Sequence, residues 1–134
     1  MRHGCSLVKV SRWQVQQLWP WYRGSIKRAA DENPEVSVDE TARDLLSGHA
    51  QLWQLVGGVM VTRVDKYHDH KTLVVCLLSG YGLWTWGPAL DQATQDVAKG
   101  WNCQKVKIIG RRAWEKLLKP YGYSFQTIEM VKEV

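Results

Sequence analysis

Apolar residues return at helical spacing from Ser11 onward, at Trp13, Val15, Leu18, Trp19, Tyr22 and Ile26. Ser11 suits the N-cap, because its side chain can satisfy a backbone donor that the first turn leaves free. Pro20 falls inside the pattern and cannot supply an i→i−4 N–H. The stretch is therefore one kinked helix, or two helices with Pro20 in the first turn of the second. Asp31 to Val36 is a polar loop. Ser37-Val-Asp-Glu40 reads as a capping box; the helix it opens carries Val38, Ala42, Leu45 and Leu46 on one face and stops at Gly48. The period then changes to that of strands. Gln51 to Val56 and Gly58 to Val64 are β-rich, with Gly57-Gly58 between them for a tight turn or a bulge. Asp65 to His70 is a polar hairpin tip, and Lys71 to Leu78 is the most apolar strand and so the most central.

Gly87-Pro88 is expected to start the next helix, in which Leu90, Ala93, Thr94, Val97, Ala98 and Trp101 make one wide apolar face. Gln104 to Gly110 follows as a buried strand and Arg111 to Lys119 as a short helix with Trp114, Leu117 and Leu118 on one face. Pro120 ends that helix, Tyr121-Gly122-Tyr123 turns the chain, and Ser124 to Val131 alternates as a closing strand. Antiparallel hairpins come first and a strand-helix-strand crossover follows, which predicts a mixed sheet with flanking helices, class α+β. Nothing repeats, and no stretch has linker composition. The length of 134 residues fits a single domain over 1–134.

The strand, one-face helix, Gly-aromatic turn and last strand of the C-terminal thirty residues resemble the second half of a GNAT (Gcn5-related N-acetyltransferase) domain. The wording Gly110-Arg-Arg-Ala-Trp-Glu-Lys-Leu-Leu-Lys-Pro-Tyr-Gly-Tyr123 looks most like small GNAT-like proteins encoded by bacteriophages. The whole element order is also that of a GNAT domain that lacks its first strand, or keeps a vestigial one at Ser6 to Val10. The resemblance implies acetyl-CoA as cofactor and N-acetyl transfer to an unidentified amine. Its alternative is a catalytically silent GNAT-fold virion or accessory protein that binds other phage or host proteins.

In GNAT enzymes the loop after the fourth strand carries Gln/Arg-x-x-Gly-x-Gly/Ala, and its backbone N–H groups at a helix N-terminus hold the cofactor pyrophosphate. The matching segment is Leu77-Leu78-Ser79-Gly80-Tyr81-Gly82. The resemblance thus assigns cofactor binding to Leu78, Ser79, Gly80, Tyr81 and Gly82. Two departures stand out: Leu77 replaces the polar lead residue, and Leu83-Trp84-Thr85-Trp86 separates the glycines from the expected helix start. Two glycines after a strand also make an ordinary turn. Trp84 and Trp86 suit an adenine or acyl wall, but aromatics at this spacing more often cap a core.

Acyl transfer needs a base for the amine and an acid for the departing thiolate. The position of the family's frequent tyrosine acid falls on Leu118, and that of its common asparagine on Arg111. Tyr121 and Tyr123 are close but do not match. Thr62, Arg63 and Val64 occupy the stretch where a carboxylate base might sit, so no catalytic residue is assigned. His49 is a cleft base or, more simply, a helix-end residue. Tyr67-His68-Asp69-His70 has no third partner in sequence, and no metal is expected.

Composition narrows the partners only a little. The net charge of +5 allows nucleic acid, acidic proteins or a phosphate-bearing cofactor without choosing among them. Arg111, Arg112, Lys116 and Lys119, beside Lys105 and Lys107, read as a solvated face. Nucleic acid is not an expected partner, since it would require the basic residues to gather on one face. Cys5, Cys76 and Cys103 are odd in number and lack CxxC spacing, which points to reduced thiols; Cys76, in an apolar run, behaves as a small hydrophobe. Eight tryptophans, each able to bury about 150–250 Å², are expected to supply much of the core or an aromatic-rich interface. The first residues lack the apolar core of a signal peptide, and no apolar run approaches the ~20 residues that span a bilayer. The expected location is the host cytoplasm, with incorporation into the virion as the alternative.

Overall fold

Pro20 divides the first helical stretch. In a computed structural model, which describes residues 8–32, 37–55, 58–80, 83–108 and 119–122, α1 runs Arg12–Gln17 and α2 runs Trp19–Glu32. Pro20 is the second residue of α2, where a missing N–H costs nothing. Ser11 caps α1 with an extended backbone, and its N–H donates to Gln14 Oε1 at 3.1 Å. Next, α3 runs Val38–Ser47; the Ser37 hydroxyl accepts from the Glu40 N–H at 3.2 Å, and Gly48 ends the helix in the left-handed region at φ 87°. A side chain at Gly48 would be strained there and would meet the Arg12 guanidinium.

A three-residue strand, β1 (Val8–Val10), precedes these helices, and β2 (Gln51–Leu55), β3 (Gly58–Lys66) and β4 (Lys71–Gly80) follow them. Then come α4 (Leu83–Gly100) and β5 (Lys105–Ile108). The sheet order is β1-β2-β3-β4-β5. Neighbours are antiparallel as far as β4, and β4 pairs with β5 in parallel. This is the mixed α+β sheet that the element order predicts. A 3₁₀ turn over Lys119–Tyr121 contains Pro120 rather than stopping before it, and Gly122 takes φ 89° to complete the turn. The helix expected over Arg111 to Lys119 and the closing strand lie outside the described residues.

Strand alternation sorts the sheet into two faces. One carries Val10, Leu52, Val59, Val61 and Leu77 against Val15, Tyr22, Ile26 and Leu45 of α1–α3. The other buries Met60 and Val75, with Trp53, Leu78, Val106 and Ile108 packed around them. Among the described residues the buried core is mainly aliphatic, with Tyr22 the one aromatic in it. None of Trp13, Trp19, Trp21, Trp53 and Trp101 is fully buried, so these five do not supply the core's interior. Size and a polar indole N–H keep tryptophan from full burial; Trp53 settles its own by donating to the buried Thr62 hydroxyl at 2.9 Å. Leu46 is also exposed, so the apolar face of α3 is narrower than its sequence implies.

Candidate functional site

Two irregularities meet in the upper half of β4. Along the β3–β4 ladder Thr62 faces Val75 and Val61 faces Leu77, so Cys76 is an extra residue. Such a bulge bends its strand and leaves backbone groups outside the ladder, and bulges concentrate beside active sites. The parallel pairing with β5 is described from Thr72↔Lys105 to Val75↔Ile108. Among the described residues β4 therefore continues through Leu77, Leu78, Ser79 and Gly80 beyond its last pair with β5. The bulge lies one residue beyond Val75, the last residue of the described pairing.

Of the five residues assigned to cofactor binding, Leu78, Ser79 and Gly80 form this upper end of β4; Gly80 sits opposite Gly58 on β3. Leu78 is partly buried on the second face beside Val75. Tyr81 and Gly82 lie outside the described residues. The helix that follows corrects an expectation. It begins at Leu83, at once after the glycines, and not at Gly87-Pro88. Pro88 is its sixth residue, at the cost of one backbone bond to the carbonyl of Trp84. Trp84 and Trp86 thus fall in the first turn of α4 and not on a connecting segment; their side chains lie outside the described residues. An 18-residue helix presents free N–H groups and the positive end of its dipole at its start. Tyr81 and Gly82 directly precede that end in sequence, and a helix start of this kind attracts phosphate.

Neither family models nor curated proteins match this sequence. Solved structures do. An aminoglycoside N-acetyltransferase in complex with CoA superposes with a TM-score of 0.67 at 10% identity, covering 100% of this chain and 97% of that one. A GCN5-related N-acetyltransferase from Ralstonia eutropha gives 0.66 at 14% identity, covering 98% and 99%. Glucosamine-6-phosphate N-acetyltransferase from Arabidopsis thaliana gives 0.61 at 13%, again covering 98% and 99%. The fold is that of the GNAT acetyltransferases. The immediate start of α4 removes one of the two departures from the GNAT loop pattern; Leu77 in place of a polar lead residue is the one that stays, and it is buried against the α1–α3 face.

Around the bulge the described side chains offer no nucleophile or base. Cys76 packs partly buried against the first core cluster, and Arg63 Nη1 reaches its sulfur at 3.6 Å. Burial pushes the thiol above its ordinary range, and the nearby guanidinium offsets this only in part. Cys76 is thus a neutral thiol at physiological pH. Iodoacetamide should alkylate it more slowly than an unhindered cysteine at pH 7.5, as read by mass spectrometry of the Cys76 peptide; equal rates would contradict this placement. Arg63 is itself committed to Asp65, with Nε–Oδ1 at 3.0 Å and Nη2–Oδ2 at 3.4 Å. Thr62, fully buried, accepts from Trp53 and donates to Gln51 Oε1 at 3.2 Å.

The other candidates lie elsewhere. His49 is exposed after α3, and its Nδ1 is 2.6 Å from the Ser47 hydroxyl. It stands just before β2, at the end of the sheet away from Gly80. His70 contacts Asp69 at 2.6 Å and stacks on Tyr67, which makes the hairpin tip a self-contained cluster. Among the described residues no group of three or more His, Cys, Asp or Glu could hold a metal, and no helix is long and apolar enough to cross a membrane. Leu118, Arg111 and Tyr123 lie outside the described residues. The bulge escaped sequence reading because Leu73 to Leu78 is an unbroken apolar run, in which an extra residue leaves no break in alternation.

Proposed function

We propose that this chain binds acetyl-CoA through the turn between β4 and α4 and transfers the acetyl group to an amine. The observation that carries the reading is the short step from the end of β4 at Gly80 to the start of α4 at Leu83, with a bulge at Cys76 just below. The neighbour in complex with CoA has the same fold. In this reading the backbone N–H groups at the α4 start take the pyrophosphate, and the acyl arm lies along β4 beside Cys76. The acceptor nitrogen attacks the thioester carbonyl, the C–S bond breaks, and the thiolate leaves with the proton that the amine gives up. No side chain is assigned to that proton transfer; a water relay and the acceptor's own basicity suffice for it.

The test is the melting temperature of the full chain with and without millimolar acetyl-CoA or CoA. A ligand at a hundred times its Kd stabilises by about 2.7 kcal/mol, a rise of several degrees. An unchanged melting temperature, with no binding by calorimetry, would overturn the reading.

One observation favours a second reading, an interaction module of the phage type in the virion or the host cytoplasm. Trp13, Leu18 and Trp21 are 61%, 50% and 58% exposed along α1 and the start of α2. Exposed aromatic and aliphatic residues this close together suit a protein partner.

A further inference from the structure

β1 and β2 do not extend along the whole of β3. The pairing of β2 begins at Gln51 opposite Thr62, while β3 runs on to Lys66; β1 ends at Val10, opposite Leu52, and leads into α1. An open cavity of about 590 Å³ lies at these two strand ends, within the ~300–1,000 Å³ usual for small-molecule sites. It wraps around the margin of the sheet. Val10 and Leu52 carry it onto the α1–α3 face, where Val15 and Leu45 supply an apolar floor. Lys9, which pairs with Trp53, and Gln51 carry it onto the other face, where Trp101 forms a wall.

Local motifs hold the wall in place. The Cys103 N–H donates to the Ala98 carbonyl at 2.8 Å and the Asn102 N–H to that of Lys99 at 3.1 Å, with Asn102 left-handed at φ 58°. This is a Schellman ending for α4, and it fixes the backbone of Trp101 just before the turn. The Trp101 ring is 40% exposed, with Lys9 Nζ 5.6 Å from its centre. On the other side Gly48 makes room for Arg12, since a Cβ there would come within 3.3 Å of Nη1. The charge is one-sided: the described lining holds Lys9 and Arg12 but neither Asp nor Glu, and among the described residues no carboxylate pairs with either cation. Gln51 Oε1 accepts from Thr62, which leaves its amide N–H groups as donors. The Ser11 and Ala50 N–H groups are already bonded, to Gln14 Oε1 and the Asp44 carbonyl. The donors for a ligand thus come from side chains rather than from a cradle of backbone amides, which is what suits a phosphate.

We infer that this cavity binds a small carboxylate with a planar apolar body, of the arylacetate kind. Lys9 and Arg12 attract the carboxylate, Arg12 through a planar fork that matches its two oxygens. The aliphatic floor takes the apolar body, and the exposed indole of Trp101 offers it a stacking partner. The cavity opens at the Gln51 end of β2, whereas Gly80 is level with Leu55 at the other end. The site therefore does not rest on the acetyl-CoA reading.

The test is a ligand-observed NMR titration of the full chain with phenylacetate at low salt. Phenylacetamide keeps the body without the charge and should bind about tenfold more weakly, because charge-assisted hydrogen bonds are lost. Inorganic phosphate, which has the charge without the body, should also bind more weakly than phenylacetate. Lys9→Gln and Trp101→Ala should each weaken phenylacetate by about fivefold, and Arg12→Gln by about tenfold. Lys66→Gln removes the same charge outside the cavity and should stay within about twofold of the parent. Melting curves check that each variant folds; if Arg12→Gln melts early, because Arg12 also lies against the end of α3, Lys9→Gln decides. Saturating CoA should leave phenylacetate binding unchanged. Absence of phenylacetate binding, equal affinity for the amide, or equal weakening by Lys66→Gln and Lys9→Gln would overturn the proposal. So would tighter binding of phosphate, or displacement by CoA, which would put the ligand at the β4–α4 turn.

Discussion

Deleting Cys76 should give a folded protein that has lost most of its stabilisation by acetyl-CoA. The ladder explains the separation of the two effects. Val75 already faces Thr62 and Leu77 already faces Val61, so removing the residue between them joins two correct registers into one regular strand. Leu77 stays on the α1–α3 face and Val75 on the other, and no side chain changes sides. The fold loses only the packing of Cys76 and its contact with Arg63, about 1–2 kcal/mol. The bend of β4 disappears too, as do the backbone groups that the bulge holds outside the ladder. A tenfold loss of affinity would cut the ligand-induced stabilisation by about 1.4 kcal/mol, roughly half of that expected at a hundred times Kd. Cys76→Ala is the control: it keeps the bulge and should keep the shift. If the deletion variant is stabilised as fully as the parent, the bulge has no part in the site.

Ile26→Ala should be among the most damaging simple truncations of the described residues. Ile26 is fully buried where α2 crosses the sheet, in one cluster with Tyr22, Val59, Val61 and Leu77. Losing a buried isoleucine to alanine costs about 2–5 kcal/mol, because the cavity does not fully collapse. For a domain of this size that lowers the melting temperature by on the order of 10–20 °C. Trp13→Ala removes a much larger side chain, yet Trp13 is 61% exposed and its loss should cost within about 0.5 kcal/mol. Thermal unfolding of the two variants decides the matter. A Trp13→Ala protein as unstable as Ile26→Ala would mean that the aromatic surface of α1 is packed.

What the sequence disclosed follows from how local each signal is. Pro20, Ser37 and Gly48 act within one turn of themselves, and the helix boundaries they mark agree with the structure. The hairpin order and the mixed sheet are legible from period alone. The start of α4 was misplaced because Pro88 was read through its preference for the first helical turn, whereas the helix accepts it in the second. Trp13 and Trp101 are exposed although helical spacing puts each on an apolar face, because spacing identifies a face but not what covers it. The end of β4 at Gly80 is legible through resemblance, while Tyr81 and Gly82 lie outside the described residues; the bulge is not legible, since a bulge is a relation between two strands and the apolar run of β4 shows only one of them.

The parallel pairing of β4 with β5 bears on how the molecule assembles. Lys66 and Lys71 meet across a turn of a few residues, whereas Lys71 and Gln104 are 33 positions apart. Closing the longer segment costs about 1.5–2 kcal/mol more chain entropy on the logarithmic scaling of loop length. The β2-β3-β4 meander should therefore form early, with β5 docking last and undocking first. Amide exchange would then be slowest in β3 and faster in β5, which makes the strand beside β4 the one of the described sheet that opens most often.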